Sequence, residues 1–219
     1  MQLNQYIDHT NLKPTATEAD ILKLCAEAAK YHFASVCVNP LWVATAKQAL
    51  AGTDVRVCTV IGFPLGATTT AVKAYEVSDA LQHGCDEFDM VINIGALRAG
   101  QLDVVRKDMR AVVKAAKGHT VKIILEVGLL NKEETVTAVK LACRSKAPYI
   151  KTGTGFAGDG VTVDQVRTIK RHLIKKFNTK IKAAGGIRNY ETAMALIEAG
   201  AERLGTSSGV SIMRGASEK

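Results

Sequence analysis

The amino-acid sequence predicts an α/β fold, a closed barrel of eight parallel (β/α) units, from two observations. Short β-branched runs alternate with segments of helical period, and eight such runs begin near Ile7, Ser35, Val55, Glu87, Val121, Tyr149, Lys180 and Glu202. No Pro/Gly/Ser-rich linker divides the 219 residues, so we expect one domain spanning 1–219. A doubly wound open sheet is the alternative, and the number of repeats does not separate the two.

The segments between these runs carry helix signals in order along the chain. Residues 17–20, Thr-Glu-Ala-Asp, fit a capping box that begins a helix. Asn131 with Glu134 forms a second N-cap pair. Apolar side chains at helical spacing support these and two further helices: Ile21, Leu24, Cys25 and Ala28; Val105, Met109, Val112, Val113 and Ala116; Val166, Ile169 and Leu173.

The charge balance is basic, with 29 Lys and Arg against 21 Asp and Glu. This excess indicates either a lysine-rich surface or an anionic ligand. The densest basic segment, 170–182, holds one aromatic residue, Phe177, whereas single-stranded nucleic acid is usually bound on several aromatic side chains. We therefore expect no nucleic-acid partner.

The cysteine count and the N-terminus indicate the compartment. The five cysteines are odd in number and no pair has C-x-x-C spacing, so neither a disulfide framework nor a zinc site is expected. No apolar run is long enough for a membrane helix, and the first ten residues lack the basic and apolar regions of a secretory signal. These features predict a cytoplasmic protein without a membrane partner.

Two lysines end or interrupt neighbouring apolar strands. Lys151 closes the sixth predicted strand and Lys182 lies within the seventh, where both would point into the barrel mouth. One such lysine usually snorkels or pairs with a carboxylate, but two buried cations side by side destabilise the fold unless they are paired. Mutual repulsion and desolvation favour the neutral amine in one of them, which is the form that attacks carbonyl groups.

Period-two alternation places acidic and basic groups near these lysines. In the fourth strand Glu87, Asp89, Val91 and Asn93 share one face, and Phe88, Met90 and Ile92 share the other. Asp89 would then neutralise a lysine, transfer protons, or do both. In the fifth strand the same rule groups Lys122, Ile124 and Glu126, and we expect Lys122 and Glu126 to form supporting salt bridges.

Two segments have the composition of phosphate cradles. Gly185 and Gly186 follow the seventh strand, and Ser207 and Ser208 follow the eighth, the two loops that hold phosphate in many barrels. Residues 153–158 match G-x-G-x-x-G, but no acidic residue lies about 20 positions further on, as dinucleotide binding requires. No cofactor is therefore expected.

Eight motifs together resemble one enzyme family over nearly the whole chain. They are I-D-H-T-N-L-K-P, V-C-V-N-P, V-I-G-F-P-L-G-A-T-T-T, D-E-F-D-M-V-I-N-I-G-A-L, I-L-E-V-G-L-L, I-K-T-G-T-G-F, K-A-A-G-G-I-R and G-T-S-S-G. In this order they resemble the short-chain deoxyribose-phosphate aldolases. The resemblance implies a metal-free class I aldolase on a TIM barrel that cleaves 2-deoxy-D-ribose 5-phosphate to acetaldehyde and D-glyceraldehyde 3-phosphate.

The resemblance also implies residue roles. It makes Lys151 the Schiff-base lysine, Lys182 the second lysine and Asp89 the acid/base group. It assigns the phosphate to Gly185, Gly186, Ser207 and Ser208, with Gly155 nearby. It implies dimers or tetramers. Three positions depart from the usual family residues, with Gly153 and Ala184 where Ser is common and Val127 where Thr is common.

Two alternatives from other classes remain open at this point. A different phosphosugar enzyme on the same barrel would turn over its substrate without forming a covalent adduct at Lys151. A basic nucleic-acid-binding protein would show steep salt dependence. Cys37 aligns with a position that opens onto the site, and we interpret it as a small buried residue.

Overall fold

Eight parallel strands close into a barrel in the computed structural model, which describes residues 2–158 and 160–217. The strands are β1 (Ile7–Asn11), β2 (Ser35–Val38), β3 (Arg56–Ile61), β4 (Glu87–Val91), β5 (Thr120–Ile124), β6 (Tyr149–Lys151), β7 (Lys180–Ala184) and β8 (Arg203–Thr206). Consecutive strands pair, and β8 closes the sheet against β1. Each strand begins within one residue of its predicted start, and closure excludes the open-sheet alternative.

Helices surround the barrel between the strands. They are α1 (Glu18–Tyr31), α2 (Val43–Ala49), α3 (Thr70–Gln82), α4 (Ile94–Arg98), α5 (Leu102–Ala115), α6 (Lys132–Arg144), α7 (Val163–His172), α8 (Tyr190–Ala199) and α9 (Gly209–Ser217). The predicted capping box at Thr17 is confirmed, as is the predicted N-cap pair of Asn131 and Glu134, which also forms a capping box. Thr162 forms a third capping box at the start of α7. Over the described ranges, no helix is long and apolar enough to cross a membrane.

The hydrophobic core lies between the barrel and its helices. Phe88 and Met90 of β4, and Ile92 directly after it, belong to this core, as the alternation predicts. A small second cluster, Leu12, Cys37, Cys58 and Val60, lies inside the barrel. The rest of the barrel interior is unusually polar for a buried region, because the inward positions of several strands carry charged residues.

Candidate active site

The register of β6 and β7 brings the two predicted lysines together. Lys151 and Lys182 are direct partners across these strands, so their side chains enter the barrel at the same height. Both ammonium groups donate to Oδ2 of Asp89, at 2.8 Å from Lys151 and 2.7 Å from Lys182. The structure thus brings the three predicted catalytic groups together, with both lysines bonded to the same oxygen of Asp89.

A wider ion-pair network surrounds this trio. Lys122, the partner of Asp89 across β4 and β5, lies 2.9 Å from Oδ1 of Asp89 and 2.6 Å from Oε2 of Glu87. Asp8 pairs with Lys182 at 2.6 Å, and Arg203 joins Asp8 to Glu87. Lys122 therefore makes the salt bridges that the sequence predicts.

Asp8 and Arg203 are two members of this network that the sequence analysis missed. Each is a charged residue within a short strand, as Lys182 is. Both are buried, Asp8 completely. Their pairing at the base of the barrel anchors one side of Lys182, because Asp8 contacts both cations.

At the centre of the site, the ion pairs together shift the pKa values further than burial shifts them in the opposite direction. Burial acts to raise the pKa of Asp89, but Lys122, Lys151 and Lys182 together hold it well below its usual range. Burial acts to lower the pKa of Lys182, but Asp8 and Asp89 raise it above its usual value. The pKa of Lys122 is raised in the same way, against burial, by Asp89, Cys58, Glu87 and Asp8. Asp89 is therefore an anion and Lys182 and Lys122 are cations at neutral pH.

Lys151 differs from the other two lysines in its surroundings. Within the described ranges its one ion pair is with Asp89, whereas Lys182 has two carboxylate partners and Lys122 has three. Lys151 also lines an open cleft of about 640 Å³, while the side chains of Lys122 and Lys182 are completely buried. Lys151 is thus the amine that a ligand in the cleft reaches, and of the three lysines it has the fewest carboxylate partners.

The predicted phosphate-binding loops line the same cleft. Gly155, Gly185, Gly186 and Ser207 all contribute to its wall together with Lys151. Gly185 and Gly186 have φ values of 108° and 72°, a region in which glycine is unstrained and its N–H can turn toward a ligand. Thr206 ties the two loops together by donating to the carbonyl of Ile187 at 2.7 Å.

The lining of the cleft differs from the predicted phosphate-binding residues at two positions. Ser208 lies outside the cleft lining, and its backbone N–H already donates to Thr206 Oγ1 at 2.9 Å. Arg188 is exposed and lines this cleft as well as a neighbouring one of about 610 Å³, although the sequence analysis did not select it. The signal was present, since an arginine two positions after Gly-Gly can reach an anion held by that loop.

The prediction that Glu126 forms a supporting salt bridge is wrong. Its carboxylate accepts hydrogen bonds from the backbone N–H and hydroxyl of Thr154, and within 2–158 and 160–217 it forms no salt bridge with a lysine. Glu126 has a left-handed backbone conformation that turns it away from Lys122 and toward the loop after β6. A Cβ on Gly153 would lie 2.7 Å from Glu126 Oε1, so the glycine leaves room for this carboxylate.

Two cysteines lie directly beside Asp89. Cys37 is completely buried, which confirms its interpretation as a small buried residue, and it pairs with Cys58 across β2 and β3. A hydrogen bond with Cys58 lowers the pKa of Cys37, and burial raises that of Cys58. The thiol of Cys58 also donates to Asp89 Oδ1 at 3.2 Å. Sequence spacing did not indicate this contact, because the cysteines lie on different strands.

Comparisons with known proteins agree with this geometry. Residues 3–218 match the family described as DeoC/LacD family aldolase. The deoxyribose-phosphate aldolase of Streptococcus sanguinis is 54% identical over 215 residues, which are 98% of this chain and 97% of that protein. A crystal structure of a putative deoxyribose-phosphate aldolase from Coccidioides immitis has a TM-score of 0.95 at 42% identity, covering 99% of this chain and 86% of that one.

A third relative is also known from a solved structure. The deoxyribose phosphate aldolase from Aeropyrum pernix, described as having a unique tetrameric structure, has a TM-score of 0.91 at 33% identity, covering 98% of this chain and 91% of that one. The barrel and its buried lysine pair define a class I aldolase, a carbon–carbon lyase. The chain belongs to the DeoC/LacD family of aldolases. Within that family its function is that of a deoxyribose-phosphate aldolase.

Proposed function

We propose that Lys151 is the Schiff-base lysine in the reversible cleavage of 2-deoxy-D-ribose 5-phosphate. The neutral amine attacks C1 of the open-chain aldehyde, and the carbinolamine loses water to give a protonated imine. The imine accepts the electron pair of the C2–C3 bond as that bond breaks. D-Glyceraldehyde 3-phosphate leaves, the enamine is protonated at C2, and hydrolysis releases acetaldehyde and restores Lys151.

Asp89 and Lys182 move the protons in this proposal. Asp89, acting directly or through a water molecule, removes the proton from the 3-hydroxyl group as C2–C3 breaks. Lys182 keeps its own proton because it is paired with both Asp8 and Asp89, so it stays a cation beside Lys151 and donates hydrogen bonds within the relay. The proton that Asp89 takes from the 3-hydroxyl group passes to C2 of the enamine, which restores the carboxylate. The shared oxygen of Asp89 supports this division of roles.

The phosphate is proposed to lie at the end of the cleft formed by the loops after β7 and β8. Gly185, Gly186 and Gly155 offer backbone N–H groups there, Ser207 offers an exposed hydroxyl, and Arg188 adds a positive charge. Ser208 is a weaker candidate because its N–H is already used. Binding the phosphate at a distance from the reacting bond orients C1 toward Lys151.

The observation that carries the proposal is that Lys151 is the one member of the lysine trio Lys122, Lys151 and Lys182 that lines the cleft. The test is borohydride reduction in the presence of acetaldehyde, followed by peptide mass mapping. We expect one reduced adduct, on Lys151, and none in the Lys151→Arg variant. The matched control is Lys23→Arg, a lysine lining the same cleft, which should retain the adduct. An adduct on another lysine would overturn the assignment.

We also propose a homo-oligomer, a dimer or a tetramer. Large apolar side chains such as Leu41, Leu65 and Tyr75 are more than two-thirds exposed, which is typical of contact surfaces. The relative from Aeropyrum pernix is described as tetrameric. Analytical ultracentrifugation tests this, and a monomer at all micromolar concentrations would contradict it.

A cytoplasmic location remains a prediction with indirect support. All five cysteines are free thiols and all are buried, which suits a reducing compartment. Fractionation of cells that produce the protein would test it, and recovery with secreted proteins would contradict it.

A further inference from the structure

We propose that Cys37, Cys58 and Asp89 form an inhibitory binding site for a single thiophilic divalent cation such as Zn²⁺ or Cd²⁺. Their ligand atoms, two thiol sulfurs and a carboxylate oxygen, all lie within 4.8 Å of one another. Sulfur and carboxylate oxygen are the ligands that zinc commonly takes in proteins. All three residues are completely buried inside the barrel.

The barrel register creates this cluster from three consecutive strands. Cys37 on β2 and Cys58 on β3 are direct partners, so their side chains point inward side by side. Asp89 on β4 is the partner of Val60, two residues beyond Cys58 and therefore on the same inner face. Local spacing in the sequence cannot reveal such a site, because each strand contributes one ligand.

A tetrahedral ion requires side-chain adjustments, since the ligand atoms lie within 4.8 Å of one another but not at ideal separations. Zinc bonds of about 2.3 Å to sulfur and about 2.1 Å to oxygen place neighbouring ligand atoms roughly 3.6 to 3.8 Å apart. Cys58 Sγ and Asp89 Oδ1 are 3.2 Å apart, so they need to separate only slightly. Leu12, Val60 and Phe63 pack around the cysteines and their side chains offer no ligand atom, so the cluster itself supplies three ligands.

A divalent cation can replace the two thiol protons of this site despite the nearby ammonium groups, because the net charge stays the same. Two metal–sulfur bonds and one metal–oxygen bond form, two S–H bonds break, and two protons pass to solvent. A divalent cation thus replaces two protons, and the net charge beside Lys122, Lys151 and Lys182 does not change. Lys122 lies 3.3 Å from Cys58 Sγ, where it would donate to the resulting thiolate.

Inhibition follows from the shared carboxylate, and this part of the inference rests on the proposed role of Asp89. A bound cation takes Oδ1 of Asp89, removes the thiol donor of Cys58 and competes with Lys122 for the same oxygen. Asp89 is then fixed as a metal ligand and cannot exchange protons with the substrate. Zinc or cadmium is therefore expected to lower turnover, and a chelator to restore it.

The first experiment measures cadmium binding to the resting enzyme by its thiolate charge-transfer absorption and by equilibrium dialysis. We expect one ion per chain with the absorption of two thiolate bonds. Cys37→Ser/Cys58→Ser should lose the absorption, whereas the control variants Cys25→Ser and Cys143→Ser, which alter two other buried thiols, should keep it. Full absorption in the double variant, or none in the wild type, would overturn the proposal.

A second experiment does not depend on the folding of any variant. Anomalous diffraction from cadmium-soaked crystals of the wild-type enzyme should place the ion between Cys37 and Cys58, and a peak at other residues alone would contradict the site. Both experiments report metal binding without measuring turnover. They therefore remain decisive if the Lys151 adduct is not found, and that adduct can form even if no metal binds.

Discussion

Lys151 and Lys182 are paired in register across β6 and β7, and their ammonium groups meet on one oxygen of Asp89. Repulsion between the two lysines is thus offset by a shared carboxylate rather than acting alone. Asp8 supplies Lys182 with a second anion that Lys151 lacks. The difference between the lysines therefore arises from their carboxylate partners as well as from their proximity.

Replacing Asp89 by Asn should remove both activity and stability. Loss of a proton-transfer group typically costs about 10²- to 10⁴-fold in rate. Removing one partner from a buried ion-pair network costs about 3 to 5 kcal/mol in free energy of unfolding. Steady-state kinetics and urea denaturation measure the two effects. Asp103→Asn, an exposed carboxylate on α5, is the control, and equal behaviour of the two variants would refute the role of Asp89.

Replacing Lys182 by Met should move borohydride trapping of acetaldehyde to higher pH. Without the neighbouring cation, Asp89 pairs more strongly with the ammonium form of Lys151, so the neutral amine becomes rarer at a given pH. The measurement is the rate of adduct formation between pH 6 and about pH 10, the region where lysines titrate. Lys180→Met, on the same strand but exposed, should leave the profile unchanged. An unshifted profile for Lys182→Met would disprove electrostatic activation.

The free energy of unfolding should fall in acid. The pKa values of Asp89 and Asp8 are lower in the folded protein than in the unfolded chain, so the folded state binds fewer protons. Their contribution is fully present above the unfolded value of about 3.9 and is lost as pH falls below it. Urea denaturation at pH 6, 4 and 3 measures the loss. Asp89→Asn should show a shallower pH dependence, and parallel curves would contradict the assignment.

Replacing Gly153 by Ser should disturb the loop after β6. The new Cβ would lie 2.7 Å from Glu126 Oε1 and displace the carboxylate that binds Thr154. Leaving these buried groups unpaired costs about 1 to 3 kcal/mol. We expect a lower unfolding free energy and a higher KM, since Thr154 and Gly155 line the cleft.

The matched control for this change is Gly128→Ala, whose Cβ would meet no atom closer than 3.9 Å apart from its chain neighbours. It should leave stability and KM nearly unchanged. Glu126→Gln combined with Gly153→Ser tests the same contact, because it replaces the carboxylate at position 126 by a neutral amide. If Gly153→Ser matched the wild type, the steric account of the glycine would be wrong.

A buried ion pair outside the barrel should matter far more to stability than an exposed one. Lys73 on α3 is completely buried, bonds Asp108 on α5 at 2.5 Å and donates to the carbonyl of Val91 at the end of β4. Lys73→Met should lower the free energy of unfolding by about 3 to 5 kcal/mol. Lys47→Met breaks an exposed pair with Asp86 and should cost less than about 1 kcal/mol. Equal losses in thermal or urea unfolding would contradict this ranking.

Patterns local to one strand or helix could be predicted from the sequence. Period two along β4 placed Asp89 inside and Phe88 outside, and capping residues set the start of α1 and α6. These features depend on neighbours a few residues apart, whose physics is the same in any fold. The reaction and the roles of the catalytic residues were predicted from the family resemblance, because periodicity alone does not specify them.

Relationships between strands were decided by the tertiary structure. The sequence determined that Lys151, Lys182 and Asp89 point into a barrel, and barrel closure and register decided that one oxygen joins them. The same register added Asp8 and Arg203 to the network and placed Cys37 beside Cys58. The left-handed backbone at Glu126, after the end of β5, accompanies a contact with Thr154 instead of a lysine. Such contacts join residues up to about two hundred positions apart, so no local pattern encodes them.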